Sequence, residues 1–245
     1  MNPIRSTELQ LGPSAAPSFS SVGEILNRPF DVALADGRST TADYYAAEKP
    51  AGTLFVCAHG AGAGQTHPFM VKTATGLAAR GIDVVTFDFP YMHAKRGAPD
   101  KAPVLESCFH RVIEASRARK GLGGHRLFIG GKSMGGRMAT HLGAQDVAGL
   151  KGIVVLGYPL HPPGQPDKLR VAHLPAITVP VLIVQGEKDT FGAPDEFKPH
   201  LKTMTAPVLL QAIAGADHSL TVRSKKGADV FDGILTLVAD WIRAG

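Results

Sequence analysis

The chain has 245 residues, of which 44% are hydrophobic and 19% are charged, so a disordered or fibrous protein is excluded and a substantial core is expected. Basic residues exceed acidic ones (26 against 21), but they are scattered and not interleaved with aromatic residues, so no nucleic-acid partner is predicted. The two cysteines are too few for a disulfide framework, and no apolar segment suits a signal peptide or a membrane span, so we expect a cytoplasmic protein without a membrane partner.

The N-terminal part of the chain divides into a tail and a hairpin. Residues 1–22 are rich in Ser, Pro, Ala and Gly without hydrophobic periodicity, which predicts a flexible tail before a single domain over 23–245. Phe30–Ala35 and Ala42–Ala47 have strand character, with Asp36-Gly37 between them. They predict a hairpin at the edge of a sheet.

From Gly52 onward, apolar runs of strand length alternate with segments of helical periodicity. The predicted buried strands are Thr53–Ala58, Val84–Phe87, Leu127–Ile129, Ile153–Leu156, Val181–Val184 and Val208–Ile213. The predicted helices cover 68–80, 103–120, 134–144 and the C-terminal segment from Phe231 to Ile242. This alternation predicts a mostly parallel sheet with helices on both faces. The segment 157–179 contains five prolines and is too short for a lid domain with its own core.

One glycine-rich turn joins a predicted strand to a predicted helix. Gly131-Lys132-Ser133-Met134-Gly135 matches G-x-S-x-G, the pattern that holds a nucleophilic serine on a sharp turn above a sheet. The helix that follows places its positive N-terminus where negative charge develops during acyl transfer. A phosphate-binding loop would need glycine at position 126, where the chain has Arg126, so that alternative fails.

Two other strand ends carry the side chains that a serine nucleophile needs. Asp189 follows the strand Val181–Val184, and His218 follows the strand Val208–Ile213. Histidine accepts the serine proton, and aspartate fixes the tautomer of the histidine and stabilises its cation. Because the carboxyl ends of parallel strands meet at one edge of a sheet, Ser133, Asp189 and His218 are predicted to form a catalytic triad in the order serine, aspartate, histidine.

The alternatives for the acid and the base fit less well. Glu187 could replace Asp189 as the acid, but it lies closer to the end of its strand. His200 is the other histidine after Asp189, and it lies in a helix-like segment rather than after a strand.

The oxyanion site needs two backbone N–H donors. One is predicted to be Met134, the residue after the nucleophile. The other should come from the glycine-rich loop that begins at His59, after the strand Thr53–Ala58. Ala61 is the first choice for this donor and Gly62 the second.

The remaining candidate residues concern substrate, metal and charge. Three residues that follow strand ends are predicted to line a substrate pocket: Tyr91, Tyr158 and Phe191. The spacing of His59, His67 and His93 matches no common metal site, so neither a metal nor another cofactor is predicted, and His59 is expected to brace its loop. For Lys132 and Arg137 the default interpretation is a structural ion pair.

With these residues in place, the chain resembles the α/β-hydrolase superfamily from Phe30 onward. More narrowly, it resembles the family of testis-expressed hydrolase-like proteins and the hydrolase-like subunit of the non-specific-lethal chromatin complex. The stretches that carry this resemblance are His59–Gly62, Phe87–Met92, Gly131–Arg137, Gly157–Gly164, Gln185–Asp189 and Asp217–Ser219. A looser similarity is to dienelactone hydrolases, which carry cysteine where this chain has Ser133. The resemblance implies an eight-stranded sheet and the same triad.

We therefore expect a serine hydrolase that cleaves a small-molecule ester or thioester through an acyl-enzyme on Ser133. A non-catalytic interaction module that retains the fold is an alternative, since some members of the resembled family serve in assemblies. An acyltransferase that uses the same triad and excludes water is another. The oligomeric state and the natural substrate are not readable from the sequence.

Overall fold

The fold of the chain is known from a computed structural model, which describes residues 5–6, 27–222 and 230–245. The strands are β1 Arg5–Ser6, β2 Asn27–Ala33, β3 Ser39–Tyr45, β4 Thr53–Ala58, β5 Asp83–Phe87, β6 Arg126–Lys132, β7 Leu150–Leu156, β8 Val181–Gly186 and β9 Val208–Ile213. The helices are α1 Pro68–Ala78, α2 Pro90–His93, α3 Ala102–Ala118, α4 Met134–Gly143, α5 Pro194–Leu201 and α6 Val230–Ala244, with a 3₁₀ turn at Leu174–Ala176.

The strands form one sheet in the order β1-β9-β8-β7-β6-β4-β5-β3-β2. Within the group β4 to β9, every pair of neighbouring strands is parallel. Strand β3 is antiparallel to β5, and β2 is antiparallel to β3. The chain builds outward from β4 to β5 and then returns to the other side of β4 with β6. At such a reversal the connecting loops diverge to opposite faces and leave a crevice at the carboxyl ends of the strands.

The central strands are buried on both faces because their side chains alternate between two helical layers. Val56, Val85, Ile129, Val155 and Ile183 face a cluster that includes apolar residues of α3, α4 and α5. Their chain neighbours Phe55, Val84, Phe128, Val154 and Leu182 face a second cluster with α1 and α6. Continuous apolar runs are therefore required in these strands.

The predicted architecture is confirmed, since eight strands from Asn27 onward form a mostly parallel sheet with helices on both faces. The hairpin is present with both strands starting three residues earlier than predicted. In the predicted tail, Arg5–Ser6 pair with Leu209 and Leu210 as a ninth strand. The rest of that tail lies outside the described residues, so its flexibility and the single domain over 23–245 remain predictions.

Two features of the connections affect the site. The segment from 157 to 179 contains a single 3₁₀ turn and lies at the carboxyl end of β7 without forming a lid. The short helix α2 was not among the predicted elements, and α5 was anticipated only as the helix-like segment around His200. Each of these helices begins with a proline that pre-sets the helical backbone. In the part of the chain that the structure describes, no helix is both long enough and apolar enough to cross a membrane.

A substitution in β6 tests how closely the sheet is packed. A Cβ on Gly130 would overlap the carbonyl oxygen of Val154 in β7 and come within 2.9 Å of the Phe55 ring. We expect Gly130→Ala to lower the free energy of unfolding by about 1–3 kcal/mol, because a buried backbone cannot yield without strain. Urea unfolding measures this, with Gly124→Ala as the control because nothing lies within 4 Å of its added Cβ. Equal free energies of unfolding for the two variants would contradict the close packing of Val154 and Phe55 against Gly130.

Candidate active site

Ser133 occupies a sharp turn between β6 and α4. Its backbone has φ 49° and ψ −115°, a region that non-glycine residues rarely adopt and that costs about 1–3 kcal/mol. The turn persists because its glycines allow the chains to approach closely. A Cβ on Gly131 would overlap the carbonyl oxygen of Ala58, and one on Gly135 would lie 2.6 Å from the carbonyl oxygen of His59. The pattern G-x-S-x-G is therefore a steric requirement of the junction between β4 and β6.

The structure brings the three predicted catalytic residues together. His218 Nε2 lies 2.8 Å from Ser133 Oγ, and His218 Nδ1 lies 2.7 Å from Asp189 Oδ2. The Asp189 side chain is fully buried, whereas His218 is 19% exposed. Ser133 Oγ makes no capping hydrogen bond to its own helix. The Ser133 hydroxyl is therefore available to hydrogen-bond with His218.

Asp189 is held by donors other than the histidine. Gln185 Nε2 donates to Asp189 Oδ2 at 2.8 Å, and the Phe191 N–H donates to Oδ1 at 2.8 Å. Gln185 is itself fixed, because its Oε1 accepts from the Tyr158 N–H at 2.8 Å. These contacts orient the carboxylate toward His218. The sequence prediction missed Gln185, although a polar residue in the otherwise apolar strand β8 was a signal for it.

The alternative acid and base lie elsewhere. The Glu187 carboxylate is turned toward the turn before His218, where its Oε2 accepts from the Gly215 N–H at 2.8 Å. It therefore supports the histidine loop rather than the histidine ring. His200 lies in α5 and is not among the residues that line the cavity at Ser133.

Two contacts position His218 in addition to Asp189. The Phe191 ring stacks on the imidazole with ring centroids 4.2 Å apart and planes inclined by 30°. The Lys132 ammonium donates to the backbone carbonyl of His218. Both contacts restrict the loop that carries the base.

Lys132 is a partly buried cation, and among the described residues no ion pair joins it to an Asp or Glu, so the default interpretation of Lys132 as half of an ion pair is wrong. Burial lowers its pKa to about 8 from the ordinary value of 10.5, although the negative charges of Asp189 and Asp217 oppose the shift. Its ammonium also lies 5.5 Å from the centre of the Phe69 ring. The stem of Lys132 is thus enclosed between the nucleophile turn and the His218 loop.

The backbone N–H groups proposed for the oxyanion face the same cavity as Ser133. Ala61, Gly62 and Met134 all line it. Within 27–222 and 230–245, neither the Ala61 nor the Met134 N–H donates to a protein acceptor. These donors are therefore available to an atom that enters the cavity, as an oxyanion site requires.

His59 braces the loop that carries Ala61. The Phe89 N–H donates to His59 Nε2 at 3.0 Å, and His59 Nδ1 lies 2.6 Å from the Gly60 carbonyl oxygen. A donor aimed at Nε2 requires a lone pair there, so the ring is neutral with its proton on Nδ1. Burial, which lowers the pKa of His59, favours the same form. Tyr91 adds a hydroxyl hydrogen bond to the Ala61 carbonyl at 2.8 Å.

The cavity above Ser133 has a volume of about 730 Å³, a size typical of small-molecule sites. Of the predicted pocket residues, Phe191 lines it, whereas Tyr91 and Tyr158 do not. Both tyrosines are fully buried, and their hydroxyls donate to the carbonyls of Ala61 and Arg170 respectively. Their placement as pocket residues was wrong because a position after a strand does not fix the direction of a side chain.

The sequence predicted no metal site in the loops that carry His59, His67 and His93. Among the described residues, no group of three or more His, Cys, Asp or Glu side chains is arranged to hold a metal ion. His67 caps α1, where its side chain accepts from the Phe69 N–H. A reaction without metal or other cofactor remains a prediction.

Comparisons with known proteins agree with the fold described above. A family model described as an alpha/beta hydrolase domain matches residues 51–244. Similar solved structures include a dienelactone hydrolase from Anabaena variabilis, with 16% identity over 89% of this chain and 97% of that one and a TM-score of 0.71. An α/β serine hydrolase without lid from Xanthomonas campestris has 17% identity over 98% of both chains and a TM-score of 0.69. An esterase from Pyrococcus furiosus has 14% identity over 90% and 91% and a TM-score of 0.74.

The burial of Lys132 predicts a pH-dependent stability. Between about pH 8 and 10.5 the unfolded chain keeps the Lys132 proton while the folded protein releases it. The free energy of unfolding should therefore rise across this interval, relative to Lys132→Met, by up to about 3 kcal/mol. Urea unfolding at a series of pH values measures the difference.

The matched control is Lys151→Met, because Lys151 is exposed on β7. Its stability should follow that of the unchanged chain at every pH. A Lys132→Met curve parallel to the unchanged chain from pH 8 to 10 would show that burial does not hold the Lys132 pKa down.

Proposed function

Since this chain belongs to the alpha/beta hydrolase family, we propose that it is a serine hydrolase that cleaves a small-molecule ester or thioester. The observation that carries the proposal is the continuous hydrogen-bonded series Ser133 Oγ, His218 Nε2, His218 Nδ1 and Asp189 Oδ2 beneath a cavity. Serine hydroxyls are too weakly acidic to attack unaided, and this arrangement supplies the base and its orienting carboxylate.

In the first step, Ser133 Oγ attacks the carbonyl carbon of the substrate while its proton passes to His218 Nε2. The carbonyl oxygen becomes an oxyanion that the N–H groups of Ala61 and Met134 stabilise, together with the N-terminus of α4. The tetrahedral intermediate then collapses. The bond from carbon to the leaving oxygen or sulfur breaks, the leaving group takes the proton from His218, and the acyl group remains on Ser133.

In the second step, water replaces the leaving group. His218 Nε2 accepts a proton from water, and the resulting hydroxide equivalent attacks the acyl carbon of the ester on Ser133. The second tetrahedral intermediate collapses with return of the proton to Ser133 Oγ, so the free acid departs and the enzyme is restored. Asp189 stabilises the imidazolium in both steps without becoming protonated itself.

The finer assignments are also proposals. Membership in the narrower family of testis-expressed hydrolase-like proteins and the chromatin-complex subunit is supported by the stretches that include Gly131–Arg137 and Gly157–Gly164. We also propose a cytoplasmic location. The cavity above the triad supports a small-molecule partner, and the scattered basic residues favour neither nucleic acid nor a membrane surface. One similar solved structure is described as a serine hydrolase without lid, which supports the proposal that short esters reach the cavity directly, without a lipid interface.

A fluorophosphonate probe tests the catalytic assignment without knowledge of the natural substrate. The probe labels a serine that has a base and oxyanion donors, so we expect label on Ser133 at pH 8. Ser133→Ala should abolish it, and Ser133→Ala or Asp189→Asn should reduce kcat on 4-nitrophenyl acetate by about 10⁴-fold or more. Mass spectrometry locates the label, and a spectrophotometric assay gives the rate.

Ser219→Ala is the matched control, because Ser219 is an exposed serine directly after His218. The label should remain on Ser133 in this variant. If folded protein carries no label on Ser133, the hydrolase proposal fails and the non-catalytic interaction module is the better interpretation. Acyl transfer to an added alcohol in preference to water would identify an acyltransferase instead.

A further inference from the structure

Two arginines line the cavity above Ser133. Arg137 and Arg170 are both half-buried lining residues. In the described ranges, no ion pair joins either guanidinium to an Asp or Glu. The default interpretation of Arg137 as a structural ion pair is therefore wrong. Partly buried guanidinium groups usually face carboxylates or phosphates, so these two call for an anion from outside the chain.

The backbone fixes both arginines near the nucleophile. Arg137 lies one turn of α4 beyond Ser133, and its N–H donates to the Ser133 carbonyl at 3.0 Å. The Arg170 N–H donates to the Leu160 carbonyl at 2.9 Å, and the Arg170 carbonyl accepts from the Tyr158 hydroxyl at 2.5 Å. The Arg170 guanidinium donates to the Pro159 carbonyl at 3.3 Å. Both positions are thus held before any ligand enters.

The two guanidinium groups are also close enough to affect each other. Burial is the main cause that lowers the pKa of Arg170, and the positive charge of Arg137 lowers it further. Like charges at the wall of one cavity repel, and a single anion between them relieves that repulsion.

The acids Asp100 and Glu106 are already paired with other side chains, and the Lys132 ammonium is bonded to a backbone carbonyl. Asp100, which lines the cavity, pairs with Arg96 at 2.8 Å. Glu106 pairs with His141 at 2.8 Å. Lys132 donates to the His218 carbonyl. Arg137 and Arg170 therefore give the cavity a net positive potential, to which the N-terminus of α4 adds.

We propose that the acyl group of the substrate ends in a carboxylate or phosphonate-like anion that Arg137 and Arg170 bind while Ser133 attacks the ester carbonyl. The inference rests on the hydrolase function proposed above and narrows its substrate to anionic esters. We place the anion on the acyl part of the substrate. The acyl group stays bonded to Ser133, one helical turn from Arg137, from the first attack until water releases it. The leaving group, by contrast, takes a proton from His218 and dissociates after the first step. Apolar lining residues such as Leu105 and Met134 suit the hydrocarbon between the two ends.

Matched esters test this inference. The mono-4-nitrophenyl ester of adipic acid carries a terminal carboxylate, 4-nitrophenyl hexanoate is its neutral counterpart, and 4-nitrophenyl 5-phosphonopentanoate carries a phosphonate. After subtraction of spontaneous hydrolysis, we expect kcat/KM for at least one anionic ester to exceed that for hexanoate about tenfold or more. The preference should fall as salt concentration rises. Comparison of the two anions identifies which anionic group the site takes.

Three arginine variants assign the preference to residues. Arg137→Gln and Arg170→Gln should each reduce the ratio of anionic to neutral kcat/KM about tenfold. Arg28→Gln is the control because it makes the same change of net charge at an exposed position on β2, and it should keep the ratio. Circular dichroism and thermal unfolding of each variant verify its fold.

A binding measurement separates this inference from the proposed function. Adipate or inorganic phosphate, compared with chloride at equal ionic strength, should raise the Tm of Ser133→Ala but not that of Ser133→Ala with Arg137→Gln. Equal kcat/KM for all three esters, or a preference that survives both arginine variants, overturns the inference while leaving the hydrolase intact. If anions bind in a way that depends on Arg137 but no ester is turned over, the anion site is supported and the proposed hydrolase function is rejected.

Discussion

The close approach of the carboxyl end of β4 to the turn at Ser133 is the constraint on which the site depends. The carbonyl groups of Ala58 and His59 lie where side chains on Gly131 and Gly135 would have to be. Only with both glycines can β4 and β6 pair to their ends and still turn into a loop and a helix. That proximity places the Ala61 and Met134 N–H groups on the same cavity as Ser133 Oγ.

The contacts behind the site extend this constraint into the core. His59 joins the oxyanion loop to the end of β5 through the Phe89 N–H. Gln185 joins the end of β8 to that of β7, because it contacts both Asp189 and Tyr158. Neighbouring strand ends are thus linked pairwise by buried side chains. Displacement of one loop is resisted by the next, which preorganises the donors and the base.

The sequence predicted most of the fold because buried parallel strands must be apolar on both faces. Thr53–Ala58 and Val208–Ile213 were predicted with the bounds that the structure has. The positions of Ser133, Asp189 and His218 were also predictable, since chain order and strand ends locate backbone positions. Their meeting at hydrogen-bond distance agrees with that prediction, although catalysis itself remains a proposal.

Side-chain direction was harder to predict. Tyr91 and Tyr158 follow strand ends as Phe191 follows Asp189, yet only Phe191 reaches the cavity. The difference lies in the hydroxyls, which find carbonyl partners behind the cavity wall. Nothing in the local sequence encodes that choice, because the partners come from distant loops. The ion pairs expected for Lys132 and Arg137 were not predictable for the same reason, since the lack of an acidic partner among the described residues is visible only in three dimensions.

These departures from simple rules are concentrated in one place. A strained serine, a partly buried lysine and two guanidinium groups that no described carboxylate pairs with all border the cavity at Ser133. Each costs free energy that a residue chosen for stability alone would avoid. Throughout the described chain, buried side-chain polar atoms have partners, and the two apolar clusters supply the stability that offsets the cost. Uncompensated positive charge beside a nucleophile is useful only if a negative group arrives with the substrate, so the cost and the proposed specificity have the same origin.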